Sequence, residues 1–409
     1  MAQSKAERHE VGLGVATRAV RAGQAVDEAT GAHATPIYQT STFVLGSVER
    51  GSRMFDGEVE GNVYSRAGNP TVHAAEAKLA ALEGAEAAVG FASGMGAIAA
   101  LFLTTLTSGD EVLYLGPLYG GTSGLLHDLL SKFGVTARSV TDADLESAVG
   151  PATRLIYAET PTNPTLAIHD LAAMAAVGRR HGVLTAVDNT FATPYLTRPL
   201  ELGIDVVVHS ATKYLGGHGD LLGGFVAGSG ELMLYVRGEG LRHVGAVLDP
   251  HTAFLLLRGM RTLHVRMAAH CANARAVAEA LRAEPGVNVV HYPGFADHPG
   301  HDVAARQMSD FGGMVSVEFA GGATAAATFL DSLRLVDHAV SLGDVASLAC
   351  VPAASTHQLV PRDVRVAGGI ADGLVRISVG IESADDLVAD VIRAARIAVT
   401  ATEHDLTTV

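Results

Sequence analysis

Lys213 stands in the stretch 206-VVVHSATKYLGGHGDLLGG-224. Val206, Val207 and Val208 read as the end of a buried strand. His209, Ser210, Ala211, Thr212 and Lys213 turn out of it, and five glycines follow by Gly224. A lysine leaving a buried strand beside two hydroxyls suits an amine that must be neutral part of the time. Burial disfavours the ammonium, so the pKa falls and the amine can attack a carbonyl. Ser210 and Thr212 can hold phosphate oxygens, and the glycines let the backbone approach a flat ring. Only four of the 29 basic residues are lysines: Lys5, Lys78, Lys132 and Lys213. Arginine supplies charge elsewhere and cannot give a free amine, so a lysine kept here points to its nitrogen. The alternative is a structural lysine at a strand end.

The elements that must position this amine alternate from about residue 85 to 230. Ala87 to Phe91, Glu111 to Leu115, Arg154 to Ala158, Leu184 to Val187 and Val206 to Val208 are short apolar strands. Helical stretches such as Gly96 to Leu106 and Asp170 to His181 separate them. This predicts an α/β fold, a mostly parallel sheet with helices on both faces, whose ligands sit at the carboxyl ends of strands. Four stretches fall there. Ser93-Gly94-Met95 opens a helix, where backbone N–H groups and the helix dipole suit a phosphate. Tyr119, ahead of Gly120 and Gly121, can lie flat on a ring with its hydroxyl free for proton transfer. Asn163, in the loop from Glu159 to Thr165, can hold a hydroxyl or phenolate oxygen or cap a turn. Asp188 ends a buried strand, where a carboxylate requires a cation or donors. An amine, a carboxylate, a ring partner and phosphate donors are what pyridoxal phosphate requires. No GxGxxG follows a strand with an acid about 20 residues on, so a dinucleotide enzyme ranks low.

Residues 1–66 lack alternation and predict an extended arm that packs on a neighbouring subunit. At its end, Arg66 can bind a phosphate or a carboxylate, and Thr71 is the expected cap of the next helix. One long helix is expected over 255–282. In the segment from Leu374 to Glu382, Val375, Ile377 and Val379 share one strand face, with Arg376 and Ser378 on the other. That arginine needs an anion: a substrate carboxylate or an internal acid. His298, His301 and Asp302 are set in a Pro- and Gly-rich loop, and no metal site is expected. The net charge of −14 and the absence of Trp argue against nucleic acid or anionic membrane as partner. Met1 to Glu10 is too polar for a signal peptide, and no apolar run nears the ~20 residues of a membrane span. Cys271 and Cys350 read as free thiols, which places the chain in a reducing cytoplasm.

From Thr35 to Glu382 the chain resembles the Cys/Met-metabolism family of pyridoxal-phosphate enzymes. The resemblance is carried by Tyr64-Ser65-Arg66 with Asn69-Pro70-Thr71, by Ser93-Gly94-Met95, by Asp188-Asn189-Thr190, by 209-HSATKYLGGHGD-220 and by Ser341-Leu342-Gly343-Asp344. It implies the fold-type I transferase fold, with an arm (1–66), a large cofactor domain (67–262) and a smaller C-terminal α/β domain (263–409). It also implies residue roles. Lys213 bonds the cofactor aldehyde and Asp188 pairs with the ring nitrogen. Tyr119 stacks and acts as acid, and Asn163 contacts the ring hydroxyl. Ser93, Gly94, Met95, Ser210 and Thr212 form the phosphate site, which Tyr64 and Arg66 of a neighbouring subunit complete in a homotetramer. Ser341 and Arg376 bind the substrate carboxylate, beside Val340 and Gly121. Within the family the chain is most similar to the methionine-cleaving group, although Gly121 replaces that group's cysteine and Arg242-His243 its Lys-Asp. The cystathionine lyases carry charges where Val63, Gly124 and Val340 stand here. An uncharged pocket suits a thioether methyl, so the expected reaction takes L-methionine to methanethiol, 2-oxobutanoate and ammonia. The alternatives are cystathionine cleavage or synthesis, sulfhydrylation of O-acetylhomoserine, and a non-catalytic cofactor-binding protein.

Overall fold

The computed structural model describes residues 13–407 except 25 and 359; the polar segment Met1 to Glu10 lies outside them. Seven strands form the larger sheet: β1 (Ala87–Phe91), β2 (Glu111–Leu115), β3 (Thr136–Val140), β4 (Thr153–Glu159), β5 (Leu184–Asp188), β6 (Val206–Ser210) and β7 (Gly224–Gly228). Their order is β1-β7-β6-β5-β4-β2-β3, and only β7 runs antiparallel to its neighbours. The central strands are almost continuously buried runs of Val, Leu, Ile and Ala, as expected of strands covered on both faces. The covering helices follow local rules. Leu171–His181 is capped by Asp170, whose side chain accepts the Ala173 N–H. Arg179, Arg180 and His181 occupy its last turn, and Gly182 closes it in the left-handed conformation.

The smaller sheet is β8 (Val287–His291), β9 (Met314–Phe319), β10 (Asp337–His338), β11 (Leu348–Cys350) and β12 (Leu374–Ser378), in the order β10-β11-β12-β9-β8. Its own core includes Phe319, Phe329, Val375 and Ile377, with Val391 and Ala395 from the last helix. No helix of the described residues is long and apolar enough to cross a membrane.

Three expectations are corrected. The single helix over 255–282 is two, Pro250–Arg261 and Leu263–Arg282. At Thr262 the backbone leaves helical geometry, and its N–H and hydroxyl both turn back to the Gly259 carbonyl. Asn69, not Thr71, caps the helix Pro70–Glu83. Proline at the first helical position lacks an N–H, so Asn69 Oδ1 takes that of Thr71 at 3.0 Å. The Thr71 hydroxyl instead pins the arm, donating to Pro36 O at 2.8 Å and accepting from Tyr38 N at 2.9 Å. Finally, residues 1–66 are not uniformly extended. Val15–Arg21 is a helix whose Ala19 is buried in this chain's own core. Beyond it, Val44, Val48 and Phe55 point into solvent.

Candidate functional site

The carboxyl ends of β4, β5 and β6 are adjacent, and Asn163, Asp188 and Lys213 lie at or just after them. Ser93 ends the turn after β1 and caps the helix Gly94–Thr105, its hydroxyl accepting the Gly96 N–H at 3.0 Å. That leaves the Gly94 and Met95 amides at the head of the helix. A Cβ at Gly94 would lie 2.7 Å from Ser210 Cβ and 3.0 Å from Ser210 Oγ, so only glycine lets the helix end meet the end of β6. The Ser210 N–H donates to Thr190 Oγ1 at 2.8 Å. The Thr212 hydroxyl exchanges bonds with Gly223, donating to its carbonyl at 3.3 Å and accepting its N–H at 3.0 Å.

Lys213 is mostly buried, and desolvation, followed by the charge of Arg376, lowers its ammonium to about 8. Its Nζ donates to Ser341 Oγ at 2.6 Å. Ser341 has φ of 84°, rare for a residue with a side chain. Two residues on, a Cβ at Gly343 (φ +75°) would come within 2.6 Å of Tyr214 N, so this loop of the smaller domain lies directly on the chain after Lys213. Arg376, in the middle of β12, is 3 % exposed. It donates to Asn163 Oδ1 at 2.9 Å and to Ser341 O at 2.8 Å. No carboxylate pairs with it among the described residues, and its Nε is buried without a hydrogen-bond partner. The internal acid that could have explained it is absent there.

Asp188 sits at the end of β5 with its Oδ1 accepting the Thr190 N–H at 3.0 Å. Burial raises its pKa, opposed by the Thr190 hydrogen bonds and the charge of His209. Behind the sheet end, His209 Nε2 meets Glu83 Oε1 at 2.5 Å, both fully buried, and Asn189 donates to the same oxygen at 2.9 Å. Tyr119 is 41 % exposed and Val340 56 % exposed. A Cβ at Gly121 would lie 2.6 Å from Tyr119 Cε1 and 2.9 Å from Met95 Sδ. Tyr64 and Arg66 are not drawn into this cluster. The Arg66 guanidinium lies over the Tyr64 ring and donates to the Arg242 carbonyl at 2.9 Å.

Sequence reasoning passed over three residues. Glu159 ends β4 as Asp188 ends β5, and the same signal, an acid closing an apolar strand, would have found it. Arg266, 4 % exposed, donates to Tyr214 O and to Gly259 O, both at 2.8 Å, and so ties down the turn after Lys213. His357 is buried, and desolvation with the charges of Arg376 and Arg365 lowers it to about 4. Nothing in the local patterns around Arg266 or His357 marks them.

The residues present fit pyridoxal phosphate. The head of a helix lies against Ser210, a desolvated amine has its pKa lowered, a carboxylate is held at the next strand end, and a buried guanidinium lacks an anion among the described residues. The pattern of the family described as Cys/Met metabolism PLP-dependent enzyme matches residues 16–396. An L-methionine gamma-lyase of Pseudomonas putida is 50% identical over 385 residues, 93% of this chain and 97% of that one. An O-succinylhomoserine sulfhydrylase of Pseudomonas aeruginosa is 45% identical over 380 residues, covering 92% and 94%. The crystal structure of cystathionine gamma-lyase from Lactobacillus plantarum complexed with L-serine superposes with a TM-score of 0.89 at 40% identity, covering 94% of this chain and 99% of that one. The chain therefore belongs to the Cys/Met metabolism family of enzymes, with pyridoxal phosphate as its cofactor.

Proposed function

We propose that the protein is a carbon–sulfur lyase that cleaves L-methionine by α,γ-elimination, methionine and water giving methanethiol, 2-oxobutanoate and ammonia. The observation that carries this reading is the chain from Lys213 Nζ through Ser341 to Arg376. It sets a base beside a buried cation that lacks an anion, which is the geometry for removing the Cα proton of a bound amino acid. Bound pyridoxal phosphate supplies an electrophilic aldehyde and a ring that accepts the electrons released at Cα.

The chain's own residues do the rest. Arg376 and Ser341 hold the α-carboxylate, and the guanidinium is kept in plane by Asn163 Oδ1 and the Ser341 carbonyl. Lys213, whose amine is partly neutral near pH 8, would take the Cα proton, pass it on, and so be free to take a proton from Cβ. Tyr119 gives its phenolic proton to the sulfur that leaves Cγ. Asp188 would pair with the ring nitrogen, and Ser93, Gly94, Met95, Ser210 and Thr212 would hold the phosphate. Tyr64 and Arg66 serve the site of a second copy of the chain, which suits an arm that points Val44, Val48 and Phe55 into solvent. The functional unit is then a dimer, paired into a homotetramer. Cys271 and Cys350, both buried and unbridged, suit a cytoplasmic enzyme.

Val63, Gly124 and Val340 stand where the cystathionine lyases carry charges, so the far end of the substrate would meet none from them, which favours a methyl thioether over the second ionic end of cystathionine. Cystathionine cleavage is the second reading, supported by Gly121, which replaces the cysteine of the methionine-cleaving group and where a side chain would meet Tyr119 and Met95. Incubation with methionine alone decides between them: methanethiol should form. Thiol released only from cystathionine or cysteine, or much faster turnover of O-acetylhomoserine with sulfide, would overturn the assignment.

A further inference from the structure

Tyr119 stands on a short turn with one side open to solvent, yet its ring must hold one plane to stack and to protonate a leaving group. What fixes it is a side chain outside the expected set. Glu159, the last residue of β4 and 5 % exposed, accepts the Tyr119 backbone N–H on Oε1 at 2.8 Å. Its Cα is the register partner of Asp188 across β4 and β5. Among the described residues no cation acts on Glu159, whose only charged neighbour of weight is Asp188.

We propose that Glu159 is a positioning residue, which anchors the backbone of Tyr119 and so sets that ring over the cofactor site from the strand next to Asp188. The inference rests on the role of Tyr119 proposed above. The two neighbouring acids are unequal. Asp188 receives the Thr190 N–H and the favourable charge of His209, whereas Glu159 has only the Tyr119 N–H. Burial and the Asp188 charge push the Glu159 carboxyl well above the usual carboxylate range. Glu159 is therefore the acid of the pair with the fewer donors for its charged form. Its Oε1 keeps the Tyr119 N–H, and Asp188, the better supplied with donors, is the carboxylate that would face the ring nitrogen. Tyr157, fully buried on the same strand as Glu159, is pushed up by burial and then by the charges of both acids, and adds no charge.

A neutral acceptor of the same length should then replace Glu159, and a shorter acid should not. In the holoenzyme, Glu159→Ala should lower kcat roughly 30-fold with KM changed less than threefold, because a misplaced acid affects turnover and leaves the Arg376 clamp alone. Glu159→Gln should recover at least a third of the wild-type kcat, and Glu159→Asp should stay close to Glu159→Ala. Hydrogen exchange gives a readout independent of activity. The Tyr119 amide should exchange about tenfold faster in cofactor-free Glu159→Ala and Glu159→Asp than in the wild type, and return to wild-type protection in Glu159→Gln. If Glu159→Ala does not fold, the Gln and Asp proteins decide the matter. Equal impairment of Gln and Asp, or unchanged Tyr119 exchange and kcat in every variant, overturns the proposal. Tyr119→Phe separates the two ideas: full activity there would refute the acid role of Tyr119, while the exchange data would still report whether Glu159 holds its backbone.

Discussion

The two sheets supply the site in different ways. The seven-stranded sheet offers residues only where its strands end. Asp188, Ser210 and Lys213 all follow apolar runs and sit where backbone leaves the sheet. The five-stranded sheet offers Arg376 from the middle of β12, flanked by buried Cys350 and Ser316 as register partners. A strand end can shift with its loop, whereas a mid-strand residue is held by pairing on both sides. Groups that must exchange partners, such as the lysine, stand on the first kind of support. The group that must hold the substrate carboxylate still stands on the second. Ser341 links the two, since it touches Lys213 with its hydroxyl and Arg376 with its carbonyl.

The largest effect should come from Lys213→Arg. It keeps the charge but removes an amine that can lose its proton, so turnover should fall by at least about 10⁴-fold. A rate assay at saturating methionine with excess cofactor checks this, and near-normal turnover would remove the base from the scheme. On the other sheet, Arg376→Leu should raise KM for methionine about 100-fold, the loss of a charge-assisted pair worth about 2–3 kcal/mol. The fold should survive, because no carboxylate among the described residues is left unpaired, and thermal unfolding would reveal it if Arg376 were structural instead.

A smaller effect concerns pH. The Lys213 ammonium is lowered to about 8 from its ordinary 10.5, so the cofactor-free protein holds more neutral amine as pH rises through 8. Cofactor capture, followed by visible absorbance, should quicken from pH 7 to 9 and then level off. The sign for stability is the same. Between about 8 and 10.5 the unfolded chain binds the extra proton, so folding gains as pH rises through that window. The smallest effect should come from Gly121→Cys. The new Cβ must shift the Tyr119 ring and the flexible end of Met95, so kcat should change several-fold with little loss of stability, as paired kinetics and melting curves would show.

The difference between the sheets also explains what could be read beforehand. β1, β2, β4, β5 and β6 announce themselves as apolar runs ending in polar residues, and Asp188 and Lys213 are conspicuous because they interrupt burial. Arg376 is legible for a related reason, as a charge in an alternating strand. The Thr136–Val140 and Gly224–Gly228 strands were missed: one is a largely exposed edge, and the other is short and bounded by glycines, so neither shows a hydrophobic period. Contacts made across long chain separations leave no local trace. Glu83 meets His209 126 residues away, and Arg266 reaches Tyr214 across 52. The break at Thr262 was hidden because apolar residues continue through it.

The positive φ of Ser341 carries a further consequence. Glycine would occupy that conformation without strain, which costs about 1–3 kcal/mol for other residues. A Ser341→Gly protein would then be harder to unfold and a poorer enzyme. Selection of this chain for heat tolerance alone would drift toward glycine at 341 and give up the hydroxyl that meets the lysine. Thermostabilisation should therefore be screened with turnover as a second criterion at this position.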